Sequence, residues 1–216
     1  MRVFCSLIIA VCISVSIGIG CKEKSRPQPN TVNKNAAMPT PTRSSTQPVD
    51  TNVYAEVDVS PMDMSYYPPK YPQLKMAGAT TAPPVMRIIY SRPHLQGRRL
   101  FEGVLKYGEL WRLGANEATE LDVFQPVTIG VKKLPPGRYT LYAIPKAGYW
   151  TIAVNNDLDM WGLKQDTAMD ITRVQVPVTY YNPYMEYFTM VFEKSGTGAE
   201  LVMAWDDAQA RLPVSF

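Results

Sequence analysis

From Thr119 onward, apolar side chains recur at every second position rather than every third or fourth. Thr119-Glu120-Leu121-Asp122-Val123 alternates cleanly, and so do residues 139–144, 150–155, 174–178, 187–192 and 201–205. A period of two turns one face of an extended strand inward and the other to water, which the 3.6-residue period of a helix cannot do. Turn chemistry separates the runs: Leu134-Pro135-Pro136-Gly137, Lys146-Ala147-Gly148 and Ser195-Gly196-Thr197-Gly198. Short strands at regular spacing predict a mainly β chain, a single antiparallel β-sandwich or jelly-roll-like domain over residues 76–216. That span is long enough to close one hydrophobic core. Only residues 157–169 depart from the pattern, and they predict a loop with a turn or two of helix.

The N-terminal third reads differently. Met1-Arg2 is followed by an uncharged apolar and small-residue run that ends in Gly18-Ile19-Gly20-Cys21. A basic start, an apolar stretch and small residues at the cut form a secretory leader, here residues 1–20. A small residue directly before a cysteine resembles a bacterial lipoprotein signal, which makes Cys21 the expected lipidation site, palmitate included. Stable anchoring takes more than one acyl chain. The competing reading is an uncleaved anchor helix with an incidental cysteine. From residue 21 to residue 75 the chain predicts a disordered Pro/Thr/Ser-rich tether. Eleven of the 19 prolines fall between Pro27 and Pro84, where they remove the donors that a regular ladder needs. Within it, Val53-Tyr54-Ala55-Glu56-Val57-Asp58-Val59, with Met62 and Met64, alternates imperfectly and is open to docking on the domain. Tyr66-Tyr67-Pro68-Pro69-Lys70-Tyr71-Pro72 is open to two readings, a tyrosine-and-proline docking motif or plain spacer.

Several function classes drop out on arithmetic. Cys5, Cys12 and Cys21 are the only cysteines, so the folded part has no thiolate metal site, no disulfide and no cysteine nucleophile. The single histidine, His94, excludes multi-His metal centres and is read as a solvated loop residue. The net charge of +3 is too small for a nucleic-acid-binding face. Asp157, Asp159, Asp166 and Asp170 lack the spacing of a calcium loop. No cofactor and no metal are expected.

One polar block stands out. Arg92, Arg98, Arg112, Asn116 and Glu117 fall within 26 residues, interleaved with Tyr90, Phe101, Tyr107 and Trp111. Arginine forks take carboxylate or phosphate at two points, and aromatic rings stack on a sugar face. The ligand-binding candidates are therefore Arg92, Arg98, Trp111, Arg112, Asn116 and Glu117. The structural alternative keeps the same residues as scaffolding: an Arg112–Glu117 salt bridge bracing a loop, Trp111 plugging the sandwich, and Asn116 supplying a turn angle. Catalysis would rest on Glu117 as acid or base, with Arg112 and Asn116 beside it and Glu120 or Asp122 as the second carboxylate.

Tyr90-Ser91-Arg92-Pro93, Gly97-Arg98, Tyr107-Gly108, Trp111-Arg112 and Gly114-Ala115-Asn116-Glu117-Ala118-Thr119 resemble the domain-of-unknown-function 2911 family. The likeness runs on through Ile129-Gly130, Lys133-Leu134-Pro135, Trp150-Thr151, Asn155, Trp161-Gly162, Asp170, Arg173, Trp205 and Pro213. Departures sit at Glu102, Lys106 and Leu113. The resemblance implies a β-rich domain, secreted or lipid-attached, of Bacteroidota-type bacteria, and it supplies no catalytic residues. Two functions follow as expectations. The first is a non-enzymatic cell-envelope lipoprotein whose lipid anchor holds it at the outer membrane and whose sandwich binds a glycan, a peptide or a partner protein. The second is an envelope hydrolase or lyase built on Glu117.

Overall fold

A computed structural model describes residues 58–216. The leader, Cys21 and the spacer up to residue 57 lie outside the described residues. In chain order the elements are β1 (Met62–Tyr67), α1 (Tyr71–Met76), β2 (Met86–Ser91), β3 (Thr119–Val123), β4 (Val127–Ile129), β5 (Lys132–Leu134), β6 (Gly137–Pro145), β7 (Tyr149–Asn155), β8 (Asp170–Ser195) and β9 (Gly198–Ser215). A π-helical turn at Leu100–Val104 and a 3-10 turn at Thr167–Met169 complete them. The fold is mainly β, as the alternation predicts.

The strands lie in the order β1-β2-β3-β6-β7-β8-β9-β4-β5, and every pairing is antiparallel. Two layers arise because the β8–β9 hairpin folds back on itself. Residues 170–177 of β8 pair with β7. Pairing with β9 runs from Val178↔Ala210 to Tyr180↔Ala208, slips at Met185↔Asp206, and resumes from Thr189↔Ala204 to Ser195↔Gly198. Such slips bend a strand sharply. Asp206, at the slip, has φ 57. The hairpin tip is thereby brought against the end of β9. A Cβ on Gly198 would stand 3.1 Å from Ser215 Cα and closer still to the Val214 carbonyl oxygen, so only glycine fits.

Between the layers sits an aromatic knot. Trp111 contacts Trp150 at 5.7 Å edge-on, Phe188 at 4.7 Å and Trp205 at 5.6 Å near-parallel. All four rings are buried, and such pairs add to the area that they remove from water.

Residues 185–195 of β8 leave one edge without a neighbouring ladder, yet its main-chain groups at Phe188, Met190 and Phe192 find partners. The Phe188 amide donates to the Pro93 carbonyl at 2.9 Å, the Met190 amide to the Tyr90 hydroxyl at 2.8 Å and the Phe192 amide to Ser65 Oγ at 3.4 Å. Arg92 Nε donates to the Phe188 carbonyl at 3.1 Å. Buried main-chain groups need such partners, and here Ser65 of β1, Tyr90 of β2 and the Arg92-Pro93 segment just past β2 supply them.

Two expectations are corrected and a third is met. The tether does not extend to residue 75: β1 pairs with β2 over six residues, from Met62↔Ser91 to Tyr67↔Met86, and α1 follows it. Residues 174–178 and 187–192, read as separate strands, belong to one bent strand. Residues 157–169 do form a loop with one short turn, pinned by Thr140 Oγ1 to the Asp157 carbonyl at 2.9 Å and by Asn155 Nδ2 to the Asp166 carbonyl at 2.8 Å.

Candidate functional site

The six candidates of the polar block do not meet in one cavity. Arg92, just past β2, clamps three partners: the Phe188 carbonyl, Thr189 Oγ1 at 2.9 Å and Asp63 at 3.2 Å. Arg98 wraps back onto its own turn, donating to the Leu95 carbonyl at 2.8 Å. Trp111 is part of the core, its Nε1 donating to the Gly114 carbonyl at 3.2 Å, so its ring offers no stacking surface. Arg112 does not bridge to Glu117. It donates to the Trp161 carbonyl at 2.9 Å and lies 5.7 Å above the Trp161 ring, where burial lowers its pKa against the opposing charge of Glu117. Asn116 has φ 59, the turn geometry that asparagine tolerates, and donates to the Asp58 carboxylate.

Glu117 is exposed and borders a depression of about 280 Å³ with Met62, Ile89, Ser91 and Glu120. Both proposed second carboxylates are tied to arginines: Glu120 accepts from Arg138 at 2.7 Å, and Asp122 accepts from Arg87 Nε at 2.9 Å.

Other sequence candidates also settle into structural roles. His94 is no solvated loop residue. It pairs with Tyr187 along the backbone, stacks on that ring at 5.1 Å and places Nδ1 3.8 Å from Glu186. Its Nε2 lies 2.9 Å from Gln96 Nε2. Asp170 accepts from Tyr142 at 2.7 Å, Asn155 at 2.8 Å and Arg173 at 2.6 Å. Asp159 pairs with Arg138, and Asp166 caps the Ala168 amide. Among the described residues no group of three or more His, Cys, Asp or Glu side chains is arranged to hold a metal ion.

A site assembled from residues outside the polar block lies at the far end of β1. Tyr66, Tyr71, Lys75, Pro84, Arg87 and Phe124 line a trough of about 400 Å³. Register explains the meeting: Tyr66 pairs with Arg87, and Arg87 with Asp122, so all three side chains share the outer face of the sheet. Tyr71 is held from α1 by its hydroxyl, which donates to the Ala82 carbonyl at 2.8 Å, and its ring stacks on Tyr66 at 5.8 Å. The Arg87 guanidinium sits 5.9 Å from the centroids of both Tyr66 and Phe124. Its pKa is raised, first by the Tyr66 hydroxyl and then by Asp122, with burial opposing. Tyr66 also borders an adjoining depression of about 340 Å³ with Met64, Lys70, Pro72 and Gln73.

This arrangement brings the Phe124 and Tyr66 rings and the Lys75 and Arg87 cations to the surface, with the buried Tyr71 ring packed against Tyr66. Its one sequence signal is the tyrosine-and-proline motif at residues 66–72. Arg87 and Phe124 carry none, because they join it only through strand register. A larger depression, of about 510 Å³ beside Gly196 and Gly198, has no charged or aromatic side chain in its lining.

No curated protein and no solved structure matches the chain. A family model does match, over residues 73–214, which takes in β2 to β9 and all six members of the polar block. That match covers more than half of the 216 residues, and the chain belongs to the family described as Protein of unknown function (DUF2911).

Proposed function

We propose that this chain is an exported envelope lipoprotein, held at the outer membrane through Cys21, whose β-sandwich is a non-catalytic binding domain. The trough of Tyr66, Tyr71, Lys75, Arg87 and Phe124 is the ligand seat. The observation that carries this reading is the convergence of three aromatic rings and two cations on one open depression of about 400 Å³. Binding sites combine apolar and aromatic walls with a few placed polar groups, and this one does so. The leader and the Gly20-Cys21 junction support the address.

The hydrolase reading keeps one observation in its favour: Glu117 and Glu120 border the same depression. Its other members, Arg112 and Asn116, are turned to Trp161 and Asp58.

A single comparison separates the two. The full chain, Phe124→Ala and Glu117→Gln are screened side by side for binding and for cleavage of envelope glycans and peptides. A binding domain loses affinity with Phe124→Ala and is indifferent to Glu117→Gln. Cleavage that disappears with Glu117→Gln overturns the proposal. Mass spectrometry of native protein checks the address, and an unmodified Cys21 within an intact leader would count against it.

A further inference from the structure

We infer that the ligand of the trough is an acidic sugar, a hexuronate unit of a polyuronate chain. The inference rests on the trough being the seat and names what sits there.

Ring faces come first. Phe124 is 39 % exposed and Tyr66 is half-buried, with the buried Tyr71 ring packed against Tyr66 as its support. A pyranose has flat C–H faces and polar edges, so it covers such rings while keeping its hydroxyls in water. Charge comes second. Arg87 spends Nε and Nη2 on Asp122 and also meets the Tyr66 hydroxyl, so its fork is largely engaged within the wall. Lys75 in the same lining and Lys70 in the adjoining depression form no ion pair among the described residues. Arg87 and Lys75 against Asp122 leave one surplus positive charge, which one carboxylate per sugar neutralises.

A peptide fits less well. Its recognition by strand addition needs free main-chain donors and acceptors. Here β2, which carries Arg87, is paired with β1 on one side and with β3 on the other, and at the margin of the sheet the Met64 amide of β1 is already taken by Asp63 at 2.8 Å.

The test uses the full chain and three polymers in isothermal titration: polygalacturonate, the same galacturonan fully methyl-esterified, and polyglutamate. The expected result is binding of polygalacturonate that weakens with added salt, with the ester weaker by about tenfold. Lys75→Glu should weaken the acid form about fivefold while leaving the ester unchanged. Phe124→Ala should weaken both by about three- to tenfold. Equal affinity for acid and ester overturns the charge requirement and leaves the seat standing. Polyglutamate binding as tightly as polygalacturonate overturns the sugar. A different ligand, found by the wider screen and blocked by Phe124→Ala, overturns the uronate alone. Silence in every screen, with Phe124→Ala inert, overturns the inference and the seat together.

Discussion

Tyr90 shows how much one buried hydroxyl carries. It accepts from the Met190 amide at 2.8 Å and donates to the Met190 carbonyl at 3.3 Å, joining β2 to the unladdered edge of β8. Burial pushes its pKa up to about 12, and Tyr142, buried against Asp170, is likewise pushed up to about 12. A phenol whose folded pKa is raised stabilises the fold fully below the ordinary value near pH 10. That contribution is lost as pH climbs from there to 12, because the unfolded chain ionises first. Thermal melts from pH 8 to 11.5 should therefore fall off above pH 10. Tyr90→Phe should cost about 1–3 kcal/mol at neutral pH, from the orphaned Met190 amide, and flatten the alkaline fall. An alkaline slope unchanged by Tyr90→Phe would remove Tyr90 as its source. At this scale the sequence was a poor guide to partners. The residue types of the polar block were evident, but Arg112 finds Trp161 and Asn116 finds Asp58, choices made by loops whose paths no local pattern encodes.

Among the elements, β3 was legible residue for residue, because Thr119, Leu121 and Val123 turn to the core while Glu120 and Asp122 turn to the opposite face, where each meets an arginine. β1 was not, for a physical reason: its alternation is present with the sign reversed. Met62, Met64 and Tyr66 point outward, whereas Asp63, Ser65 and Tyr67 turn toward Arg92, the Phe192 amide and the Gly198 carbonyl. A strand whose inward side chains serve as hydrogen-bond partners looks like a polar linker. β8 was divided for a related reason, since Tyr-Asn-Pro-Tyr at residues 181–184 reads as a break where the strand only bends. The misplaced boundary has a measurable price in stability. A chain beginning at residue 76 lacks β1 and α1, exposes β2 and leaves Arg92 and Phe192 short of partners. It should melt lower than one beginning at residue 58 by about 5 °C or more, the scale set by losing roughly 2 kcal/mol from a domain of this size. Equal melting temperatures would return β1 to the tether.

For the molecule as a whole, the fold class was open to inspection and the folding-back of the hairpin was not. Alternation fixes which residues face inward but carries no information about where a long ribbon doubles over. Gly198 is the contact that the doubling requires. Gly198→Ala should cost about 1–3 kcal/mol through forced backbone movement. Gly148→Ala, at a turn with nothing within 4 Å of the added carbon, should be close to neutral. Equal effects would mean that the two ends of β9 are not packed as described.

The sheet's margins have one more consequence. At one end β5 shows Lys132 and Lys133 to solvent and runs into Pro135-Pro136; at the other, the Met64 amide is occupied by Asp63 at 2.8 Å. With the flank of β8 already stitched to Pro93, Tyr90 and Ser65, a second molecule meets charge, proline or spent donors instead of a template. Crowded copies of this domain should stay separate rather than seed fibrils, even though most of each copy is extended chain.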